Sequence, residues 1–235
     1  MSEPLRRGGD QVIPRPEDWR LAGPPPWASL KQSDVTDLDR LCAVLSQRRP
    51  SDLIRGPLVQ RPDAKGRDSA VLVALYPGER GATLILTKRP LHMRTHAGEI
   101  AFPGGSVDST DGSLWETALR EANEEIGLDP TLATHVGELD RFITGASYSL
   151  VQPIVGRLDV RPALVASPDE VDSIIEVPLV ELIEEGVYRH EEWRRDGPWV
   201  SLHFFELTGE TVWGATALMI HNLLELAGSG RGPAS

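Results

Sequence analysis

An α/β fold, with a mixed β-sheet packed between helices, is what this sequence predicts, and three observations carry the prediction. Short apolar runs such as residues 69–76 (SAVLVALY) have the length and branching of buried strands. Other segments, most clearly residues 113–127, repeat apolar residues every three or four positions, the period of an amphipathic helix. The two kinds alternate along the chain instead of being segregated into halves. With 235 residues, the chain is long enough for one domain with a full core and extensions at its ends.

Taken in order, residues 1–64 read as an N-terminal arm and helix. Residues 1–30 are rich in Pro, Gly and Arg and carry no periodicity. They are either disordered or draped over the domain with Trp19 and Trp27 as anchors. Residues 34–48 predict a helix whose face carries Leu38, Leu41, Cys42 and Leu45, with Pro50 beyond its end. Cys42 on that face reads as core. The main domain spans residues 65–227. It opens with strands at 69–76 and 82–87, joined by a turn at 77–81. A helix follows at 113–126, then strands at 134–143 and 150–158, where Pro153 suggests an edge or a bulge. A strand at 174–177 and a short helix at 179–186 come next. Residues 188–195 and 199–207 predict a hairpin turning at Asp196-Gly197. The last helix is expected at 213–226, with Ala217, Ile220 and Leu224 toward the sheet and Trp213 as a core residue or a surface for a base. Residues 228–235 form a tail expected to be disordered.

The chemistry concentrates between Gly104 and Leu128, GGSVDSTDGSLWETALREANEEIGL. The two glycines permit a tight turn and close approach to a ligand. Ser113 and Glu116 have capping-box spacing, and Gly127 follows the last helical residue as a C-cap. Leu114, Ala118, Ala122 and Ile126 make one buried stripe. Glu121, Glu124 and Glu125 project from one side of the same helix, and at 100° per residue Glu121 and Glu125 border the apolar stripe. One Arg120 cannot neutralise three adjacent carboxylates. They form either a solvated acidic face with an Arg120–Glu124 ion pair or a site for a hard divalent ion such as Mg²⁺, Mn²⁺ or Ca²⁺. The preceding glycine turn favours the second reading, because it brings backbone to the same spot. Upstream, Lys88, Arg89 and Arg94 cluster within seven residues of an acidic chain, directly before that turn. Arginine suits bidentate phosphate recognition.

The stretch resembles the Nudix box, the signature of Mg²⁺-dependent pyrophosphohydrolases. Arg120, Glu121, Ala122, Glu124, Glu125, Gly127 and Leu128 match its second half. Its first half carries one extra residue after Gly105; position 112, where a Glu belongs, is Gly, and Asp111 is the nearest carboxylate. The preceding segment, ILTKRPLHMRTHAGEIAFPGG, is similar to the signature of the coenzyme A pyrophosphatase branch, matching at Leu86, Thr87, Arg89, Arg94, Gly98, Phe102, Pro103, Gly104 and Gly105. It departs at Pro90-Leu91, where a Ser-Ala pair is usual. The resemblance covers residues 65–225 and implies an α/β/α sandwich. It also implies Mg²⁺ or Mn²⁺ held by Glu121, Glu124 and Glu125 beside Gly105, and a substrate side formed by Arg89, Arg94 and Phe102. Glu124 or Glu170 is the expected general base, and Arg120 the residue that orients the acids. Relatives of this branch yield 3′,5′-ADP and 4′-phosphopantetheine from coenzyme A. Two other readings stay open: a Nudix hydrolase for ADP-ribose, dinucleotides or nucleoside triphosphates, and a Nudix-fold sensor that binds a nucleotide without turnover.

Composition bounds the partners. A net charge of −11 argues against general nucleic-acid or anionic-membrane binding, so an anionic small-molecule nucleotide must be met by local cations. No apolar run has the length of a bilayer span, and the N-terminus lacks the apolar core of a secretory signal. Cys42 is the only cysteine, which excludes an intrachain disulfide and points to a reducing, cytoplasmic setting. A homodimer is an expectation of the resemblance.

Overall fold

The computed structural model describes residues 8–9, 11–27, 30–49, 66–93, 96–144 and 149–229, together with the backbone of 54–55. The N-terminal third contributes β1 (Asp18–Leu21), α1 (Gln32–Thr36), α2 (Leu38–Ser46) and β2 (Ile54–Arg55). The long hairpin β3 (Asp68–Gly78) and β4 (Gly81–Lys88) follows, then the short strands β5 (Ile100–Ala101) and β6 (Gly104–Ser106) and the helix α3 (Leu114–Ile126). After a single 3-10 turn come β7 (Ala133–Glu138), β8 (Phe142–Ile143), β9 (Leu150–Leu158), β10 (Ser173–Pro178) and α4 (Leu179–Leu182). The chain ends in β11 (Tyr188–Arg194), β12 (Val200–Glu206), β13 (Thr211–Trp213) and α5 (Gly214–Ser229).

Two sheets result. The larger runs β10-β4-β3-β9-β8-β2, with β5 beside β4, β6 beside β3 and β7 beside β9. It is mixed: β3 pairs antiparallel with β4 but parallel with β9, from Asp68↔Leu150 to Leu75↔Arg157. The smaller runs β1-β11-β12-β13 and is antiparallel throughout. Alternate residues of β3 face opposite ways. Ala70 and Leu72 pack with Ala118, Ala122 and Ile126 of α3. Val73 and Leu75 join a larger core with α1, α2, α5 and Phe205 of the second sheet. Helices therefore cover both faces, and the α/β sandwich is as expected.

Several element boundaries differ from the sequence expectation. The helix expected at 34–48 is two helices, because Asp37 is extended (φ −82°, ψ 97°) and its carboxylate accepts from Arg40 N at 3.0 Å, capping α2. The strand expected at 134–143 is β7 and β8, which pair with different parts of β9. Strand β9 lies inside the sheet, not at its edge. Pro153, which has no N–H to donate, falls where the partner changes from β8 to β7, and its carbonyl accepts from Leu139 N at 3.0 Å. Helix α4 ends at Leu182, short of residue 186. Trp213 belongs to β13 opposite Phe204, so the last helix begins one residue later at Gly214; it runs on to Ser229, past the expected start of the tail. The remaining tail, residues 230–235, lies outside the described residues.

The N-terminal segment shares the main core. β1 pairs with β11, and Trp27, at 5% exposure, packs edge-on to Tyr188 (4.6 Å) and parallel to Phe205 (6.0 Å). Cys42 is buried in that core, as its helix face suggested. The fully buried Glu191 accepts two hydrogen bonds from Arg15, at 3.0 and 2.6 Å, and one from Trp193 Nε1 at 2.6 Å.

Candidate active site

The site is built where a glycine turn and one helix meet on the sheet. Pro103 O accepts from Leu72 N at 2.8 Å, which pins the turn to β3. A side chain at Gly104 would reach 2.3 Å from Ala70 O, and one at Gly105 would reach 2.5 Å from the Glu121 carboxylate. The turn can take this course only without Cβ atoms, and the space left at Gly105 is the space the Glu121 carboxylate uses.

Helix α3 is held at both ends. Ser113 Oγ accepts from Glu116 N at 3.2 Å. Glu116 reaches back to Gly112 N at 2.7 Å, one residue beyond the expected reciprocal bond. At the other end Gly127 is left-handed (φ 65°) and its N–H donates to Asn123 O at 2.9 Å. Ala118, Ala122 and Ile126 are fully buried. The acids then grade from seam to solvent as the 100° spacing requires: Glu125 is 6% exposed, while the side chains of Glu121 and Glu124 are 15% and 54% exposed.

Burial decides the electrostatics. Desolvation pushes Glu125 up to about 8, against the Gly104 N–H that donates to its Oε2 at 3.3 Å; the charges of Glu121 and Glu170 push the same way, and Arg89 opposes them. Glu121 is also raised, by burial first, with Arg120 opposing and Glu124 and Glu170 adding. Glu170 thus shares the field of the helix acids although it stands on an exposed loop. Ser167 N donates to Glu125 O at 2.8 Å and Val165 N to Ile126 O at 2.9 Å, tying that loop to the end of α3.

Arg120 is gripped by Asp111, with Nε to Oδ1 at 2.9 Å and Nη2 to Oδ2 at 3.0 Å. It also bonds Ser106 O at 3.0 Å and pairs with Glu121 (3.0 Å) and Glu124 (3.1 Å). Its guanidinium beside Asp111 holds that carboxyl well below the usual carboxylate range. The extra residue in the turn therefore delivers Asp111, and not position 112, to the arginine. Arg89 is different. Its Nε is buried with no hydrogen-bond partner among the described residues. A buried donor of this kind, within the field of Glu125, is suited to an anion. Arg94 lies outside the described residues. Phe102, expected on the substrate side, is 3% exposed and packs in the main core with Ile100, Leu84 and Leu86, so it buttresses the turn from behind.

The donor set fits a hard divalent ion: oxygen ligands, a buried carboxylate whose desolvation outweighs its local donors, and a turn cleared of side chains. Among the described residues, no three acid, imidazole or thiol side chains converge on one point in their present rotamers. Glu121 and Glu124 are turned onto Arg120, and Glu125 onto Gly104 N.

The NUDIX domain profile matches residues 66–203, more than half of the chain. The chain belongs to the Nudix family. Two similar proteins, each bearing the name Uncharacterized Nudix hydrolase NudL, come from Photorhabdus laumondii and Enterobacter sp. strain 638. The first is 37% identical over 169 residues, covering 72% of this chain and 89% of that protein. The second is 38% identical over 173 residues, covering 71% and 86%. Among solved structures, the MutT protein from Methanosarcina mazei Go1 is 25% identical over 52% of this chain and 84% of its own, with a TM-score of 0.41. This Nudix chain is an enzyme, a hydrolase acting on phosphoric anhydrides, and its family uses divalent metal ions. No helix among the described residues is long and apolar enough to cross a membrane.

Proposed function

We propose that this Nudix enzyme cleaves a nucleoside diphosphate linked to another moiety, with coenzyme A as the substrate and 3′,5′-ADP and 4′-phosphopantetheine as the products. The observation that carries the general reading is the buried Glu125 beside Glu121 and the glycine turn, within the field of an Arg89 whose Nε has no hydrogen-bond partner among the described residues. Clustered acids suit a cation, and the unpartnered Nε of the Arg89 guanidinium suits a phosphate. Support for coenzyme A comes from the segment between Ile85 and Gly105, which carries the branch signature apart from Pro90-Leu91.

Glu121, Glu124 and Glu125, with the backbone at Gly105, would hold Mg²⁺ or Mn²⁺. When bound, the ions supply neutralisation of phosphate charge and activation of water. The chain's own residues do the rest. Asp111 fixes Arg120, and Arg120 fixes the rotamers of Glu121 and Glu124. Arg89 orients the diphosphate. Glu124, half-exposed, or Glu170, on the facing loop, takes the proton from the attacking water.

Product analysis across coenzyme A, ADP-ribose, a dinucleotide and nucleoside triphosphates, each with Mg²⁺ and with Mn²⁺, tests this. Coenzyme A is expected to give the highest kcat/KM. Preference for another diphosphate would reassign the substrate, and nucleotide binding without turnover would make the chain a sensor.

A further inference from the structure

The turn between β12 and β13 and the N-terminal arm reach the active-site strand β4 at Lys88. Lys88 ends β4 and sits opposite Ile100 on one side and Ser173 on the other. Its backbone begins the Arg89 loop, which is closed by Arg89 N donating to Glu99 O at 3.0 Å and Gly98 N donating to Arg89 O at 3.1 Å. Its carbonyl accepts from Asp172 N at 2.8 Å, two residues beyond Glu170. The anion-facing arginine and the loop acid are thus both tied to Lys88.

The side chain of Lys88 points the other way. By strand alternation it shares the face of Leu84 and Leu86, which pack in the core on the far side of the sheet from α3. There Nζ donates to Glu210 Oε1 at 2.5 Å, and the two side chains are 25% and 19% exposed. Glu210 stands in the turn between β12 and β13, closed by Leu207 N to Glu210 O at 2.9 Å. Its second oxygen accepts from Gln11 Nε2 at 2.7 Å, and Gln11 Oε1 accepts from Thr211 N at 3.2 Å. Gly8 N completes the strap by donating to Leu207 O at 2.7 Å.

We propose that the Lys88–Glu210 pair, braced by Gln11 of the N-terminal arm, positions the Arg89 and Glu170 loops against the carboxylate helix. Lys88 and Glu210 are positioning residues: neither side chain faces α3, and both act through the backbone that Lys88 shares with the two loops. This rests on the diphosphate reading above for its kinetic consequence, though not for its structural one. A half-buried, charge-assisted bond fixes the strand end better than packing alone, because losing one partner leaves the other charge in a poorly solvated place.

The test uses the full-length protein in four forms: Glu210→Ala, Lys88→Met, Lys88→Arg, and the exchange of Lys88→Glu with Glu210→Lys. Small displacements at a reacting centre are costly, so Glu210→Ala and Lys88→Met are each expected to raise both KM and the Mg²⁺ concentration for half-activation by about tenfold. Lys88→Arg and the charge exchange are expected to restore both to within about threefold of the parent, as coupled neighbours should. Hydrogen–deuterium exchange reads the placement without turnover: amides of 89–93, 96–99 and 167–172 should exchange faster in Glu210→Ala while those of α3 do not. Unchanged exchange in both loops overturns the proposal, as does a lowered melting temperature with KM and Mg²⁺ dependence unmoved. Faster loop exchange in a protein that turns over no diphosphate would uphold the positioning and overturn the substrate reading instead.

Discussion

At the scale of single residues, Glu125 couples site chemistry to stability with an unusual sign. Its ordinary value is 4.5, and burial raises it to about 8 in the fold. A carboxyl raised on folding binds its proton more tightly when folded. Its contribution is therefore complete below the ordinary value and is lost as pH rises through about 8. In the metal-free protein at about pH 9, Glu125→Gln should raise the melting temperature, because it removes a buried charge whose desolvation the Gly104 N–H and Arg89 only partly offset. The same change should lower turnover by about a hundredfold or more, since it removes a carboxylate we propose to hold the metal. Adding Mg²⁺ should stabilise the parent protein by mass action and the variant much less. Thermal melts with and without the ion, beside a rate measurement, check all three. Asp111 makes a second residue-level case. Asp111→Asn keeps the shape but releases Arg120, so turnover should fall by about tenfold or more while the helix stays folded by circular dichroism. The sequence pointed to Asp111 only as the nearest carboxylate, because the extra residue in the turn hides which position meets the arginine.

At the scale of elements, α3 was legible almost completely. Its caps, its stripe and the seam position of Glu121 and Glu125 follow from identity and period alone. Gly105→Ala tests the join between this helix and its turn. A Cβ there would sit 2.5 Å from the Glu121 carboxylate, so activity should be lost by about a hundredfold with the melting temperature changed little. The two strands that shape the turn, β5 and β6, were not legible, since two or three residues carry no period to read. The same limit hid the break at Asp37, where a cap and not a proline divides two helices. The second sheet holds an element effect that no local pattern announces. His190, His203 and His221 come together from β11, β12 and α5, with rings at 5.1 and 3.9 Å, and Tyr188 Oη lies 2.8 Å from His203 Nδ1. Burial lowers His203 from 6.5 to about 3, and the neighbouring His221 and His190 add to it. A histidine lowered on folding stabilises above its ordinary value and loses that contribution as pH falls from 6.5 toward 3. The melting temperature should fall with acid across this range, and His203→Phe should flatten the fall; a parallel curve in the variant would exclude the histidine as its source.

At the scale of the molecule, the sandwich followed from the alternation of elements, whereas the strand order, the separate second sheet and the place of the arm did not. Residues 11–27 have no period, and their partners are remote in sequence: Arg15 bonds Glu191 across 176 positions. Composition alone could read Trp19 and Trp27 as anchors of a draped arm. The structure divides them, with Trp27 at 5% exposure and Trp19 at 41%, under the Arg15 guanidinium at 4.2 Å. Trp27 fills the junction of Tyr188, Phe205 and His221, where α5 meets the second sheet. Removing that ring leaves a cavity between elements that cannot close without shifting the helix. Trp27→Ala should therefore cost about 3–5 kcal/mol of stability, whereas Trp19→Ala, which uncovers only surface, should stay within about 0.5 kcal/mol. Chemical denaturation of the two variants separates the possibilities. Equal and small losses would mean that the arm lies on a finished domain. The expected asymmetry would mean that the domain is not finished until residue 27 is in place, and that the hydrolase core and the segment preceding it fold as one unit.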